Sequence, residues 1–158
     1  MDRLDIRMME ASEADAVSAV IVAAIRAGLP SRYSAAVVEA LAAANSPAAV
    51  LQHAPKQTDY AGAVSGRIVG MIGLKRNEIG HLFVHPDFNG QGFGRRLVEF
   101  AVGVFRGQGY RDMLVMSSLN AEGFYERCGF TAEGMGSFEV APGLPLPYIR
   151  MRAEIAPA

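Results

Sequence analysis

The feature that most constrains the fold is a glycine-rich turn that joins a strand to a helix in the middle of the chain. Residues Glu78 to Val84 are predicted to form the strand, and Pro86 then interrupts its hydrogen-bond ladder because proline has no N–H group. Three glycines follow at alternating positions, Gly90, Gly92 and Gly94. A long helix with one apolar side is predicted from about residue 92 to residue 107. The chain must therefore place a strand, a tight turn and a helix in direct succession.

The backbone of this turn is suited to hold an anion. No proline occurs between Asp87 and Leu97, so every residue there keeps its N–H donor. Glycine lacks a Cβ atom and lets an anion approach the backbone, while the following helix adds the positive end of its dipole. Together these groups predict a pocket for phosphate oxygens. The alternative is that the glycines only make a tight turn.

Two common nucleotide motifs do not match this turn. A dinucleotide-binding fingerprint has the pattern Gly-x-Gly-x-x-Gly, but here the third glycine comes one residue too soon. A P-loop places Lys and then Ser or Thr after its last glycine, whereas Gly94 is followed by Arg95 and Arg96. The turn therefore predicts a phosphate site of another kind.

Composition and charge narrow the class of protein. The 158 residues fit a single domain over residues 1–158, and 51% hydrophobic with 20% charged residues is typical of a folded chain. The 15 basic residues stand against 16 acidic ones, which argues against nucleic acid as a partner. Cys128 is the only cysteine and permits neither an internal disulfide nor a cysteine-rich metal site. The apolar stretch Ala14 to Ala27 is too short and too interrupted for a membrane span, so we expect a cytoplasmic protein with no membrane partner.

The rest of the pattern predicts a mixed α/β domain. Short runs with alternating apolar residues indicate strands at residues 4–8, 60–64, 68–74, 112–116, 138–140 and 148–151. Helical periods are present at residues 16–27, 34–44, 46–53 and 120–127. A loop between the last two strands is expected to contain Pro142, Pro145 and Pro147. With the central strand and helix, the expected architecture is a mixed central sheet of about seven strands flanked by about four helices.

Two segments resemble the motifs of a known family. Leu82-Phe-Val-His-Pro and Asn89-Gly-Gln-Gly-Phe-Gly-Arg-Arg-Leu97 resemble the acetyl-CoA motif of the GNAT superfamily of acetyl-CoA-dependent N-acetyltransferases. Asn120-Ala-Glu-Gly-Phe-Tyr-Glu-Arg-Cys-Gly-Phe130 resembles its second motif, in which Asn and a Phe-Tyr pair precede Gly-Phe. The resemblance implies a GNAT-like acyl-CoA N-acyltransferase fold over nearly the whole chain. Asn89 stands where the family usually has Gln or Arg, and its short amide could instead organise the loop through local hydrogen bonds.

The resemblance also implies which residues bind acetyl-CoA, the expected cosubstrate. Backbone groups of the strand would pair with the pantetheine arm, amides of the turn would hold the pyrophosphate, and the second motif would contact coenzyme A. Carried onto this sequence, these residues are Leu82, Phe83, Val84, Asn89, Gly90, Gln91, Gly92, Phe93, Gly94, Arg95, Asn120 and Phe124. No metal is implied.

Direct transfer of an acetyl group to an amine poses two proton problems. An alkyl amine has a pKa of about 10.4 and is mostly protonated at neutral pH, and the departing thiolate belongs to a thiol with a pKa of about 8.5. A general base and a general acid would solve both. Tyr125, which matches the tyrosine of the family's Phe-Tyr pair, is predicted as the acid. Glu78, directly or through water, is predicted as the base because family members often have an acid or a histidine at this position.

His81 is the alternative base. Strict alternation along the strand would put Glu78 and His81 on opposite faces of the sheet, so that both should not reach the same substrate. His81 and His85 are poor candidates for shared metal ligands because a strand would hold them about 13 Å apart. Cys128 is predicted to be a core residue rather than a nucleophile, since no base is evident near it.

The sequence does not identify the acceptor amine. By the resemblance, its selection falls to segments 28–33 and 141–148, in which Arg32, Tyr33 and Tyr148 could contact a substrate or simply lie on the surface. We expect a small-molecule amine as the partner, and the resemblance leaves a homodimer open. A non-catalytic acyl-CoA-binding sensor or interaction module is the alternative function, and the presence of Tyr125 argues against it.

Overall fold

The central sheet has seven strands, as the alternating pattern predicts. A computed structural model describes residues 3–157. Its strands are β1 (Asp5–Met8), β2 (Thr58–Val64), β3 (Arg67–Lys75), β4 (Glu78–Val84), β5 (Asp112–Ser118), β6 (Thr131–Ala141) and β7 (Leu144–Glu154). They lie in the order β1-β2-β3-β4-β5-β7-β6, and each neighbouring pair is antiparallel except β4 with β5. The expected mixed α/β fold is confirmed.

Five α-helices in the described residues flank the sheet, one more than the approximate number expected. They are α1 (Ala14–Gly28), α2 (Ala35–Ala43), α3 (Pro47–Leu51), α4 (Phe93–Gly107) and α5 (Glu122–Arg127). Ser34 and Ser46 begin α2 and α3, because each side chain accepts a hydrogen bond from the backbone N–H three residues later. Gly92, at a φ of +80°, begins α4 directly after the glycine-rich turn.

Two apolar clusters form the core on opposite faces of the sheet. On one face α4 and α5 pack around Leu97 and Phe105. On the other face α1, α2 and α3 pack around Ile21, Ile25 and Met71. Each fully buried side chain of this kind contributes about 1.5–3 kcal/mol relative to an exposed one. The sheet is therefore held between two helical layers, which fixes the strands that carry the site.

The first helix is longer than the sequence suggests. The helical segment Ala11–Ser31 has 21 residues and contains an 18-residue window with a mean hydropathy of 1.4, which by length and composition would suffice to cross a membrane. The expectation that the apolar stretch is too short for a membrane span is therefore wrong by length alone, because the helical segment extends beyond Ala14 to Ala27 at both ends. Val17, Ile21 and Ile25 have no exposed surface and pack against the sheet, so a role in the core accounts for the apolar character of α1.

The last two strands are much longer than the sequence predicts. Pro145 and Pro147, expected in a loop, lie inside β7 and face Glu139 and Ser137 of β6. They are tolerated because β5 pairs with β7 only from Tyr148 onward, so the first part of β7 has a single neighbour and lacks one set of ladder bonds anyway. The tight turn between β6 and β7 falls at residues 142–143.

Strands β4 and β5 separate soon after they meet. Their parallel pairing is limited to Glu78 with Leu114 and Ile79 with Val115. Beyond these pairs the strands diverge, and no strand of residues 3–157 lies beside the edge of β4 facing β5 up to Val84. The divergence opens the sheet next to the glycine-rich turn, and this opening is where the candidate site lies.

Candidate active site

The glycine-rich turn presents a row of free backbone amides. Gly90 and Gly92 have φ values of +79° and +80°, a region that residues with a Cβ atom rarely adopt. Within the described residues, no N–H group from Gly90 to Arg95 donates a hydrogen bond, and the first to do so is that of Arg96, to the Gly92 carbonyl at 3.1 Å. The dipole of α4 adds positive potential at the same place. The turn therefore fits the diphosphate of an acyl carrier.

A cavity of about 570 Å³ leads from this turn into the opening between β4 and β5. Every predicted coenzyme-binding residue except Gln91 lines it. Gly94 lets the Phe124 ring close against α4, since a Cβ atom there would lie 3.0 Å from that ring. Asn89 lines the cavity, but in residues 3–157 its side chain makes no hydrogen bond, so the local bonds suggested for it are not formed. The roles of these residues in binding stay predictions.

A second cavity of about 230 Å³ lies on the other side of the same opening. Its walls come from α2, α5, β4, β5, β6 and β7 and from Leu29 just after α1, and they are mostly apolar. The two cavities have in common Leu29, Leu82, Phe83, Ser118, Ala121 and Tyr125. The two cavities therefore adjoin at these residues.

Tyr125 stands at the junction of the two cavities. Only 5% of the residue is exposed, and its ring packs edge-on against Phe124 and Phe130. Its hydroxyl has no hydrogen-bond partner in the described chain. Every fully buried polar side-chain atom there does have a partner, so this oxygen is not fully buried and is open to the cavities. Burial raises the pKa of Tyr125 above its usual value, which keeps the phenol protonated and able to donate.

The two candidate bases share one face of the sheet, contrary to the prediction from strict alternation. Leu74 of β3 faces Ile79, but Gly73 faces His81, so Gly80 is an extra residue that makes a β-bulge in β4. The bulge shifts the alternation by one and brings Glu78 and His81 to the same side, about 7 Å apart along the strand. The expectation that these two residues lie on opposite faces is therefore wrong, and whether both reach one substrate stays a prediction.

Only one of these two residues lines a cavity. His81 contributes to the wall of the second cavity, whereas Glu78 contributes to neither. Burial, together with the electrostatic effect of the neighbouring His53, lowers the pKa of His81 to about 4, so His81 is neutral at physiological pH. Glu78 is half-buried beside Leu114, and its role as base stays a prediction.

The tyrosines of the two acceptor segments differ in their surroundings. The Tyr33 hydroxyl donates to the Pro147 carbonyl at 2.6 Å and accepts from the Leu119 N–H at 2.9 Å, so it ties three distant segments together. Tyr148 lines the second cavity, with its hydroxyl above Gly136, where a Cβ atom would overlap it. Arg32 is exposed and reaches the Leu119 carbonyl at 3.5 Å. Of the three, Tyr148 alone lines one of the two cavities.

Cys128 lies in the wall of the first cavity and is half-buried. Burial raises the pKa of its thiol, which disfavours the thiolate that covalent chemistry would require. Cys128 therefore packs against the core from the cavity wall rather than lying inside the core, and its lack of a nucleophilic role stays a prediction.

Sequence reasoning missed three polar residues next to His81. His53, Gln57 and Asp59 form hydrogen bonds with one another, and Gln57 also contacts His81. They lie within seven residues of one another just before or at the start of β2, and this clustering was the only signal available in the sequence.

Fold and site together define a domain built to hold an acyl carrier against a second small cavity. The family model described as an acetyltransferase (GNAT) domain matches residues 29–153. The chain therefore belongs to the GNAT acetyltransferase family, as the two motifs predict. The match also confirms the class of domain, an acetyl-CoA-dependent N-acetyltransferase.

Known proteins similar to the chain agree with this family. Peptidyl-lysine N-acetyltransferase YjaB of Salmonella typhimurium is 31% identical over 83 residues, 52% of this chain and 55% of that protein, so the match spans about half of that relative. A GCN5-related N-acetyltransferase from Rhodopseudomonas palustris superposes with a TM-score of 0.90 at 26% identity, covering 98% of this chain and 97% of that one. PaiA N-acetyltransferase from Thermoplasma acidophilum, solved with coenzyme A, gives a TM-score of 0.77 at 17% identity over 96% and 99% of the chains, which supports the fold alone.

Proposed function

We propose that the protein transfers the acetyl group of acetyl-CoA to a primary amine of a small molecule by direct attack on the thioester. The observation that carries this is the Tyr125 hydroxyl, which has no protein partner in the described chain and lies where the two cavities meet. The free amides of the turn hold the diphosphate, which places the far end of the carrier at this junction. Acetyl-CoA supplies the activated acyl group, and the residues around the junction position the amine and handle its protons.

Tyr125 acts as the general acid. The amine nitrogen forms a bond to the carbonyl carbon, the carbon–sulfur bond breaks, and the phenol gives its proton to the departing sulfur. The phenolate then recovers a proton from water. The raised pKa of Tyr125 keeps the phenol protonated at neutral pH, so that the proton is in place when the carbon–sulfur bond breaks.

Glu78 receives the proton of the amine through water. It lies on the same face of the sheet as His81, and its neighbour Ile79 lines the second cavity. A carboxylate that is half-buried but outside the cavity wall suits a relay through water better than direct contact.

The walls of the second cavity suggest an acceptor with an apolar body and few charges. Among the described residues that line it there is no Asp, Glu, Lys or Arg. A polycationic acceptor would have no carboxylate to meet there. Met116 and Phe138, which are 51% and 49% exposed, extend the apolar surface to the mouth of the cavity.

A lysine side chain of a protein is the second candidate acceptor. YjaB, with which part of this chain aligns, is a peptidyl-lysine N-acetyltransferase. The exposed apolar side chains at the mouth of the second cavity would offer a docking surface to a peptide. A cytoplasmic location and a homodimer remain predictions from the sequence.

An acetylation screen tests the proposed function. The protein is incubated with acetyl-CoA and three sets of amines: small apolar amines, polycationic aminoglycosides and lysine-containing peptides. Products are detected by mass spectrometry, because Cys128 could react with a thiol reagent. We expect acetylation of small apolar amines. Acetylation of the peptides alone would favour the second candidate, and binding of acetyl-CoA without any product would support the non-catalytic sensor.

A further inference from the structure

A cluster of four polar side chains lies beside the second cavity and has no part in the reaction described above. It consists of His53, Gln57, Asp59 and His81. Asp59 is 8% exposed and accepts at both oxygens: from His53 Nδ1 at 2.7 Å and from Gln57 Nε2 at 2.7 Å. Gln57 Nε2 also contacts His81 Nδ1 at 2.9 Å, and the two imidazole rings stack at 4.4 Å.

The carboxylate of Asp59 determines where the hydrogens of this cluster lie. A carboxylate only accepts, so Gln57 must turn its NH₂ group toward Asp59, and His53 must carry its proton on Nδ1. The NH₂ group has one further hydrogen, and it is directed at His81 Nδ1. His81 Nδ1 is therefore an acceptor, which leaves the ring proton of a neutral His81 on Nε2.

Two glycines make room for the Gln57 amide. A Cβ atom at Gly73 would overlap its nitrogen, and one at Gly80 would lie 2.5 Å from its oxygen. Gly80 is also the bulge residue that turns His81 toward this face. The backbone of β3 and β4 is thus shaped to hold the amide in one position.

The other nitrogen of His81 is open. Nε2 has no hydrogen-bond partner in residues 3–157. Every fully buried polar side-chain atom in these residues does have a partner, so Nε2 is not fully buried and is accessible. His81 lines the second cavity, and this is the space into which an accessible Nε2 can donate.

We infer that His81 meets the acceptor as a neutral Nε2–H donor held in that tautomer by Gln57, and that the acceptor therefore carries an oxygen that accepts a hydrogen bond near its amine. This inference rests on the proposed function, because it assigns the second cavity to the acceptor. An amino-acid amide has such an oxygen, and a simple alkyl amine does not. In this tautomer His81 cannot take the proton of the amine, since Nε2 already has a hydrogen and the lone pair of Nδ1 is used by Gln57.

Nitrogen NMR of the histidine rings tests the tautomer without any acceptor. The chain has three histidines, and two of them serve as internal references. His53 Nδ1 donates to Asp59, whereas His85 Nδ1 accepts from the Asp87 N–H at 3.1 Å. At neutral pH we expect the His81 spectrum to match that of His85, with the proton on Nε2. Gln57→Leu should move the two nitrogen shifts of His81 toward each other, because nothing then fixes the tautomer. A proton on Nδ1, or no response to Gln57→Leu, would overturn the inference.

Kinetics with a matched pair of acceptors tests the recognition. Leucinamide and isoamylamine have the same apolar skeleton, and only leucinamide has the carbonyl oxygen. The preference for leucinamide is the ratio of its kcat/KM to that of isoamylamine. We expect His81→Leu to lower this ratio about 30-fold. His81→Gln keeps an N–H donor but no base, and it should lower the ratio much less. If both variants lowered kcat/KM equally for both amines, His81 would be identified as the base and the inference would be overturned. Failure of every amine as an acceptor would overturn the proposed function instead, while the NMR result would still decide the tautomer.

Discussion

The two cavities that meet at Tyr125 are built in different ways. The larger, of about 570 Å³, takes its anion-binding groups from one continuous turn, as backbone amides between Gly90 and Arg95. The smaller, of about 230 Å³, takes its walls from side chains on six separate helices and strands. A site made of backbone amides depends on local conformation, and a site made of side chains depends on long-range packing. The first should therefore be disrupted by changes in backbone conformation or charge, and the second by the loss of single side-chain contacts.

The largest expected effect is on the amide-lined cavity, through Gly92→Glu. A carboxylate placed about 4 Å from the diphosphate costs about 4 kcal/mol at an intermediate dielectric, so the affinity for coenzyme A should fall about 1000-fold. Gly66→Glu is the matched control, because Gly66 has a φ of +82° in the distant β2–β3 turn with open space around it. Both variants bear the same backbone strain and the same new charge. Calorimetric titration with coenzyme A that gave similar affinities for the two would contradict the anion site.

The next largest effect is on turnover, through Tyr125→Phe. Loss of a general acid typically lowers the rate by a factor of about 10² to 10⁴. We expect about a 300-fold drop in kcat with little change in coenzyme A affinity. Folding should be preserved because the lost hydroxyl has no hydrogen-bond partner in the described chain. Tyr110→Phe is the control, since Tyr110 packs on Phe105 away from both cavities. Equal kcat values for wild type and Tyr125→Phe would remove Tyr125 from the chemistry.

The difference in construction explains how much of the site could be predicted from the sequence. The glycine-rich turn is local, so three alternating glycines before an amphipathic helix were enough to predict its amides and the strand and helix beside it. The bulge at Gly80 depends on how β4 pairs with β3, and no local pattern distinguishes it from regular alternation. For the same reason the first part of β7 was assigned to a loop, because Pro145 is acceptable only where β5 has ended.

Contacts between distant segments account for the rest of what the sequence could not predict. Tyr33 bonds to residues 86 and 114 positions away in the chain, so nothing near it in the sequence indicates its role. The hydrogen bond from Gln57 to His81 spans 24 positions and exists only because β2, β3 and β4 lie side by side. The second cavity was therefore predicted only through two candidate acceptor segments.

Acidification should lower the free energy of unfolding through His81, which lines the second cavity. Its pKa is about 4 in the folded chain and about 6.5 when unfolded, so the unfolded state binds more protons between these values. The stabilising effect of neutral His81 is fully present above pH 6.5 and is lost as the pH falls toward 4. We expect wild type to lose about 3 kcal/mol more than His81→Gln between pH 7 and pH 4. Urea unfolding at several pH values measures this, and parallel pH profiles for the two proteins would contradict a buried neutral His81.

A smaller effect is expected from Glu78→Gln. If Glu78 accepts the amine's proton through water, its loss should lower kcat/KM about 30-fold and remove the acidic limb of the pH–rate profile. The exposed Glu154 on β7 provides the control, Glu154→Gln, which removes the same charge away from both cavities. An unaltered profile in Glu78→Gln would assign the proton to water alone, because the tautomer inferred for His81 does not accept it.

The smallest effect is expected from Tyr33→Phe, which separates stability from chemistry. The variant leaves the Leu119 N–H and the Pro147 carbonyl without their shared partner and should lower the free energy of unfolding by about 1–2 kcal/mol. Leu119 directly precedes Asn120 and follows Ser118, which lines both cavities, so the KM for the acceptor should rise while the affinity for coenzyme A stays nearly constant. Urea unfolding and a KM determination check this, with Tyr110→Phe again as the control. A weaker affinity for coenzyme A with an unchanged acceptor KM would mean that long-range packing supports the amide-lined cavity rather than its neighbour.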